Sequence, residues 1–322
     1  MNIGFIGLGG IAGNYLNSLD RIDGTRVSAV CDINPDRAEA AKRRFNANAY
    51  ADHRRMLDNE TLDALFVCIP PFAHTDQEII AAEKGMHLFI AKPVGLSFDN
   101  SLRVLEATRK AGVITSVGYM WRHSDLTDKA EEMIRGRKIA LAVGTTHVGT
   151  PGTAWWRVFD QSGGQIVEQA THVYDAARYF CGDAARVHAW GVSELNPAID
   201  FEDSATVNIL FQNGSCGNIS NTSISAGGGG YTLRLIGGGF NLNLNYGANH
   251  MSGHADGEAV QFNAEESGYY IQVERFVRAV RDGETELIRS DYEDGLKSLA
   301  LTLAANESLR TGEVAEVPAV GA

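Results

Sequence analysis

The stretch that most constrains the fold lies at the start of the chain. Residues 2–6 (NIGFI) read as a short buried strand. Gly7-Leu8-Gly9-Gly10-Ile11-Ala12-Gly13 follows as a GxGxxA turn that opens a helix near 11–20. Gly7 permits the tight turn, Gly9 lets backbone approach a pyrophosphate, and small Ala12 lets helix and strand pack closely. The helix N-terminus then offers amide donors and a positive dipole end to phosphates. A second strand, 26–31 (RVSAVC), ends at Asp32, an acid 20 residues beyond Ala12 and placed to accept both ribose hydroxyls. A glycine turn alone is a weak signal; strand, turn, helix and acid together predict a dinucleotide site. A carboxylate repels a 2′-phosphate, Ile33 adds no cation, and Arg37, the nearest one, lies inside the next helix, so NAD is favoured over NADP.

The rhythm that follows is that of a parallel sheet. Pro35 starts a helix to about Phe45, and 63–69 (DALFVCI) form a strand stopped by Pro70-Pro71. A helix over 75–84, a strand over 86–90, a helix over 98–111 and a strand over 113–118 come next. After about residue 122 the pattern changes. A helix over 125–135, a strand over 139–148 and a helix over 165–181 precede strand-like runs at 185–193, 204–211, 215–225, 231–236 and 240–246. Helices near 270–281 and 291–309 close the chain. The expected fold class is α/β: a Rossmann domain over 1–122, then an α+β domain over 123–322 with an open, mostly antiparallel sheet for substrate binding and oligomerisation.

Charge follows the same division. The 322 residues carry 28 Lys+Arg and 40 Asp+Glu, a net charge of −12. Residues 1–122 hold 14 of each sign, so the whole excess (14 against 26) lies in 123–322. An acidic chain argues against a nucleic-acid partner. Cys31, Cys68, Cys181 and Cys216 form no CxxC pair, so neither a zinc site nor a disulfide framework is expected. No targeting segment or apolar membrane span is visible, which leaves a cytoplasmic protein as the default. Glycine is abundant, 35 residues, and its surplus falls on second-domain turns; the Gly227–Gly230 run is expected to be a mobile loop.

Candidate chemistry gathers at strand ends. Ile69-Pro70-Pro71 and His74 follow one strand, where such sheets bind ligands; the prolines suit a wall beside a nicotinamide, and His74 suits a cofactor contact or a cap for helix 75–84. Lys92-Pro93 follows the next strand. A lysine near a positively charged nicotinamide loses its proton more readily, which suits a base in alcohol oxidation. Farther on, Glu168 and His172 are four residues apart and Asp175 three beyond, which on one helix share a face. A carboxylate beside an imidazole holds its tautomer and raises its basicity. Tyr119, Trp121 and Arg122, with Trp155-Trp156-Arg157, offer aromatic faces for sugar C–H surfaces and cations for hydroxyls or an anionic group.

The Gly7–Gly13 turn, Asp32, Pro70-Pro71-Phe72-Ala73-His74, Lys92-Pro93 and Gly163-Gly164…His172-Val173-Tyr174-Asp175 together resemble the Gfo/Idh/MocA (glucose–fructose oxidoreductase/inositol dehydrogenase) family over essentially the whole chain. The resemblance implies NAD(P)-dependent oxidation or reduction of a secondary alcohol on a sugar, cyclitol or sugar derivative. It implies Lys92, Glu168 and His172 as catalytic residues. Two departures stand out: Ala91 replaces the usual Glu before Lys92, and Glu168 stands where Asp is more usual. Cofactor contacts are expected from Gly7, Gly9, Gly10, Ile11, Ala12, Asp32, Ile69, Pro70, Pro71, His74, Lys92 and Pro93. Substrate contacts are expected from Tyr119, Arg122, Trp155, Trp156, Arg157, Gln169, His172 and Asp175. The expected partners are a small polyol and, through the exposed face of the second-domain sheet, further copies of the chain. Either Lys92 or His172 could be the base. Two other outcomes remain open: glycoside cleavage by transient oxidation and elimination with tightly bound NAD, and a non-catalytic NAD-bound sensor.

Overall fold

The computed structural model describes residues 1–227 and 230–321. Gly228 and Gly229 lie outside them, so the expected mobile loop falls partly outside the described residues. The chain divides into two compact units, one of residues 1–120 and 267–296, the other of residues 121–266 and 297–322.

The first unit is built on parallel strands β1 (Asn2–Ile6), β2 (Arg26–Cys31), β3 (Asn48–Tyr50), β4 (Ala64–Val67), β5 (His87–Ile90) and β6 (Thr115–Val117), in the order β3-β2-β1-β4-β5-β6. The order reverses at β1, which puts the ends of β1 and β4 at the crevice where such sheets take dinucleotides. The register sets Phe5, Phe66 and Phe89 side by side on adjacent strands. Their rings stack at 4.8 and 4.6 Å, with Tyr15 edge-on to Phe89 at 4.8 Å. Phe276 closes this stack edge-on at 5.5 and 5.7 Å, and Val273 and Val277 join the same buried core.

That packing corrects the expected domain division. The cut near 122 is close to the observed one, but helix Gly268–Asp282 belongs to the first unit because its apolar face completes the Phe stack. The pair β3 and helix His53–Asn59 was not foreseen; β3 is three residues long and largely exposed, with no apolar run to reveal it.

The second unit holds a nine-stranded sheet among the described residues. Its strands are β7 (Ile139–His147), β8 (Ala184–Val192), β9 (Ser204–Phe211), β10 (Cys216–Thr222), β11 (Gly230–Gly237), β12 (Phe240–Asn245), β13 (His250–Ala255), β14 (Glu258–Asn263) and β15 (Ala315–Glu316). They run in the order β14-β13-β12-β11-β7-β10-β9-β8-β15, antiparallel except for β7 beside β10. β13 and β14 were also unforeseen. They form one end of the sheet, and β14 buries no residue fully, so its sequence lacks an apolar stripe.

Helix Thr171–Cys181 packs on β7 at close range. A Cβ on Gly144 would lie 2.3 Å from Val173 Cγ1, so only glycine admits that approach. No helix among the described residues is long and apolar enough to cross a membrane. The cysteines are free thiols; burial pushes Cys31 up to about 11 and Cys181 up to about 12.

Candidate functional site

In the first unit the expected cofactor residues all sit at the carboxyl edge of the parallel sheet. Gly7 has a φ of +84°, and a Cβ there would lie 2.3 Å from the Cys68 carbonyl oxygen, so the turn demands glycine twice over. Gly9 is the N-cap of helix Gly10–Leu19, and a Cβ on Gly9 or Gly10 would meet nothing within 4 Å. The chain therefore leaves open space beside the first helical amides, as a bound phosphate requires. Ala12 is fully buried, in keeping with its packing role.

Asp32 is fixed by backbone. Leu8 N–H donates to Oδ2 and Asn34 N–H to Oδ1, each at 2.7 Å. A carboxylate has about four acceptor positions, so both oxygens keep capacity for ribose hydroxyls. Ile33 beside it is 93% exposed. These residues fit a nicotinamide dinucleotide.

Ile69 and Pro70 are half-buried, Pro71 opens a short turn (Pro71–Ala73), and Pro93 is buried. His74 departs from expectation. The helix after it runs Gln77–Glu83 with Asp76 at its N-cap, so His74 caps nothing. Its side chain is 3% exposed, with Nδ1 2.5 Å from Glu78 Oε1. Lys92 is half-buried, and Ala91 before it is anchored by its N–H to the Val67 carbonyl at 2.8 Å. Tyr119, expected at substrate, is 1% exposed.

In the second unit the expected single helix over 165–181 is two pieces, Gly164–Glu168 and Thr171–Cys181, preceded by a short turn of helix at Phe159–Ser162. Gly163 and Gly164 both take left-handed φ values, +75° and +77°, which explains the paired glycines. Gln169 and Ala170 then both donate to the Gln165 carbonyl, at 3.0 and 2.8 Å. The second is an i to i−5 bond, a wide turn of the kind found at functional sites. It falls between Glu168 and His172.

Around that turn the side chains gather. Trp156 Nε1 donates to Glu168 Oε2 at 2.8 Å. Gln169 Nε2 donates to the Tyr231 hydroxyl. Burial raises the Tyr231 hydroxyl above the usual phenol range; the Gln169 bond opposes this and the Glu168 charge adds to it. The His172 ring lies 5.1 Å from that of Trp121, which stacks on Tyr246 at 4.4 Å and meets Tyr231 edge-on at 5.3 Å. Tyr231 and Tyr246 escaped the sequence reading. Tyr231 follows a glycine run, which could have flagged it; Tyr246 carries no local signal.

Two expected substrate residues are engaged elsewhere. Arg122 and Asp175 form a buried two-pronged ion pair, with side chains 3% and 2% exposed, and Asp175 also accepts from Ser298. The single helical face predicted for Glu168, His172 and Asp175 does not form: Glu168 ends one helical piece, His172 and Asp175 lie on the next, and Asp175 is held by Arg122. Trp156 is 1% exposed, edge-on to Phe201, and offers its N–H rather than its face. Trp155 and Arg157 are half-buried, and Arg157 donates to the Pro151 carbonyl at 3.3 Å.

A Rossmann unit with a dinucleotide turn, joined to a separate α/β unit bearing a carboxylate, an imidazole and aromatic rings, defines a nicotinamide-dependent oxidoreductase. Comparison with known proteins agrees. Residues 1–119 match the oxidoreductase family with an NAD-binding Rossmann fold, and residues 130–239 match the GFO/IDH/MocA C-terminal domain. The chain belongs to the GFO/IDH/MocA family. It is 27% identical to myo-inositol 2-dehydrogenase of Thermotoga maritima over 96% of both chains. It is 25% identical to D-xylose 1-dehydrogenase (NADP(+)) 2 of Haloferax volcanii, over 98% of this chain and 100% of that one. The WlbA dehydrogenase of Bordetella pertussis, solved with NADH and UDP-GlcNAcA, shares the fold with a TM-score of 0.86 at 22% identity, over 99% of this chain and 98% of that one.

Proposed function

We propose that this enzyme interconverts a secondary alcohol and a ketone on a sugar, cyclitol or sugar derivative, with NAD favoured over NADP. The observation that carries the substrate class is the cluster around the wide turn at Gln169–Ala170. There a half-buried carboxylate (Glu168) held by the Trp156 N–H, an amide (Gln169), a phenol (Tyr231) and an imidazole (His172) stand beside the rings of Trp121 and Tyr246. Several hydrogen-bonding groups set among aromatic surfaces suit a molecule with many hydroxyls and an apolar C–H face. The inositol and xylose dehydrogenases among its relatives act on molecules of that kind.

When bound, the nicotinamide supplies the hydride acceptor or donor. His172 or Lys92 takes the hydroxyl proton of the alcohol, or returns it to the ketone. Glu168, which accepts from Trp156, orients His172 or holds a neighbouring hydroxyl. Preference for NAD follows from Asp32, whose carboxylate opposes a 2′-phosphate.

The test incubates the enzyme with NAD and separate inositols, aldoses and methyl glycosides while reduced nicotinamide is followed by absorbance. Net reduction with a free polyol is expected. Glycoside loss without net reduction would identify the elimination reaction instead, and NAD binding with neither would identify a sensor.

A further inference from the structure

We propose that His74 and Glu78 are positioning residues, a buried pair that seats the turn presenting Lys92. The inference rests on the role given to Lys92 above. The two side chains are 3% and 1% exposed and meet at 2.5 Å, Nδ1 to Oε1. The turn after Lys92 lies against His74 and Ser101. A Cβ on Gly95 would be 3.7 Å from His74 Cβ and 3.4 Å from Ser101 Oγ. The Ser101 hydroxyl reaches the Val94 carbonyl at 3.3 Å, and Asn100 Nδ2 donates to the His74 carbonyl at 3.4 Å. The Tyr292 hydroxyl hydrogen-bonds Ser101 and lies close enough to Glu78 to feel its charge.

The residues before Lys92 are held separately. Ala91 is tied to Val67, and a Cβ on Gly118 would lie 3.3 Å from the Lys92 backbone nitrogen. Lys92 therefore sits between a strand-anchored residue and a turn that rests on His74, whose ring Glu78 holds. His74 Nε2 and Glu78 Oε2 have no hydrogen-bond partner among the described residues. A buried pair with two unmatched atoms is a poor source of stability compared with apolar packing. Its use lies in position: it sets the height and direction of the turn, and small displacements of a reacting group are costly to rate.

The test compares wild type, Glu78→Leu, His74→Phe and Glu78→Gln. The rate at which acetic anhydride acylates Lys92, relative to the other lysines, is read by mass spectrometry. Turnover is measured with any polyol the wild type oxidises. Glu78→Leu should change the relative Lys92 rate severalfold and lower kcat about tenfold, with the KM for NAD unchanged. Glu78→Gln, which keeps an acceptor for His74, should restore both. Where Glu78→Leu does not fold, His74→Phe should show the same two changes. An unchanged Lys92 rate in the folded variants overturns the inference. A changed Lys92 rate with wild-type turnover upholds the positioning and instead removes Lys92 from the chemistry.

Discussion

Arg122 grips both oxygens of Asp175, Nε to Oδ2 at 2.8 Å and Nη2 to Oδ1 at 2.6 Å, with almost no exposure to solvent. The pair joins the start of the second unit to helix Thr171–Cys181, which carries His172. Removing one partner leaves the other charge buried and uncompensated. Asp175→Ala should therefore cost about 3–5 kcal/mol in urea unfolding. Arg122→Met added to it should recover part of that loss, because no lone charge then remains.

Gly7 and Gly9 should separate fold from binding. Gly7→Ala meets the Cys68 carbonyl and an unfavourable φ, so it should lower the melting temperature and abolish NAD binding. Gly9→Ala meets no protein atom, so its stability cost should stay below about 1 kcal/mol, while the added methyl group intrudes where the pyrophosphate is expected. Calorimetric titration with NAD beside thermal melts distinguishes the two.

Asp32 should control cofactor choice. Asp32→Ala should weaken NAD binding about tenfold or more, the worth of charge-assisted hydrogen bonds to a ribose. Asp32→Ala with Ile33→Arg should bring NADP to at least equal affinity. Dissociation constants for both nucleotides, measured on each variant, check this.

Glu202 should impose a pH dependence on stability. Burial, with Asp203 beside it, pushes its carboxyl from the usual value of 4.5 up to about 7. The folded protein then holds a proton that the unfolded chain releases. Stability should fall as pH rises from about 4.5 to about 7, by on the order of 3 kcal/mol, and level off above. Glu202→Gln should flatten that slope, as read from urea midpoints across the range.

What could be read without a structure divides by range. The turn at Gly7–Gly13, the strand ends bearing Asp32 and Lys92, and the change of rhythm after residue 122 are local patterns, and each is found where expected. The return of Gly268–Asp282 to the first unit is not local; it depends on Phe276 meeting Phe66 and Phe89 across the chain. Arg122 reads as a substrate residue by its type and Asp175 by its spacing from His172, but neither signal reveals that the two satisfy each other. The break at Gln169–Ala170 was hidden for a similar reason: both residues are compatible with helix, and only the shared Gln165 carbonyl shows the wide turn. His74 reads as a cofactor contact or a cap for helix 75–84; that it is buried against Glu78, four residues on, depends on packing that the spacing alone does not show.

The central claim is that hydride passes between a carbinol carbon of a polyol and the bound nicotinamide. The most direct test is a single turnover with a polyol deuterated at its carbinol carbons, followed by mass spectrometry of the cofactor. Deuterium on the reduced nicotinamide, formed by wild type and at a rate at least about a hundredfold lower by the His172→Ala, Lys92→Met double variant, is the predicted result. Reduced cofactor without deuterium, or equal transfer by the double variant, would contradict the account.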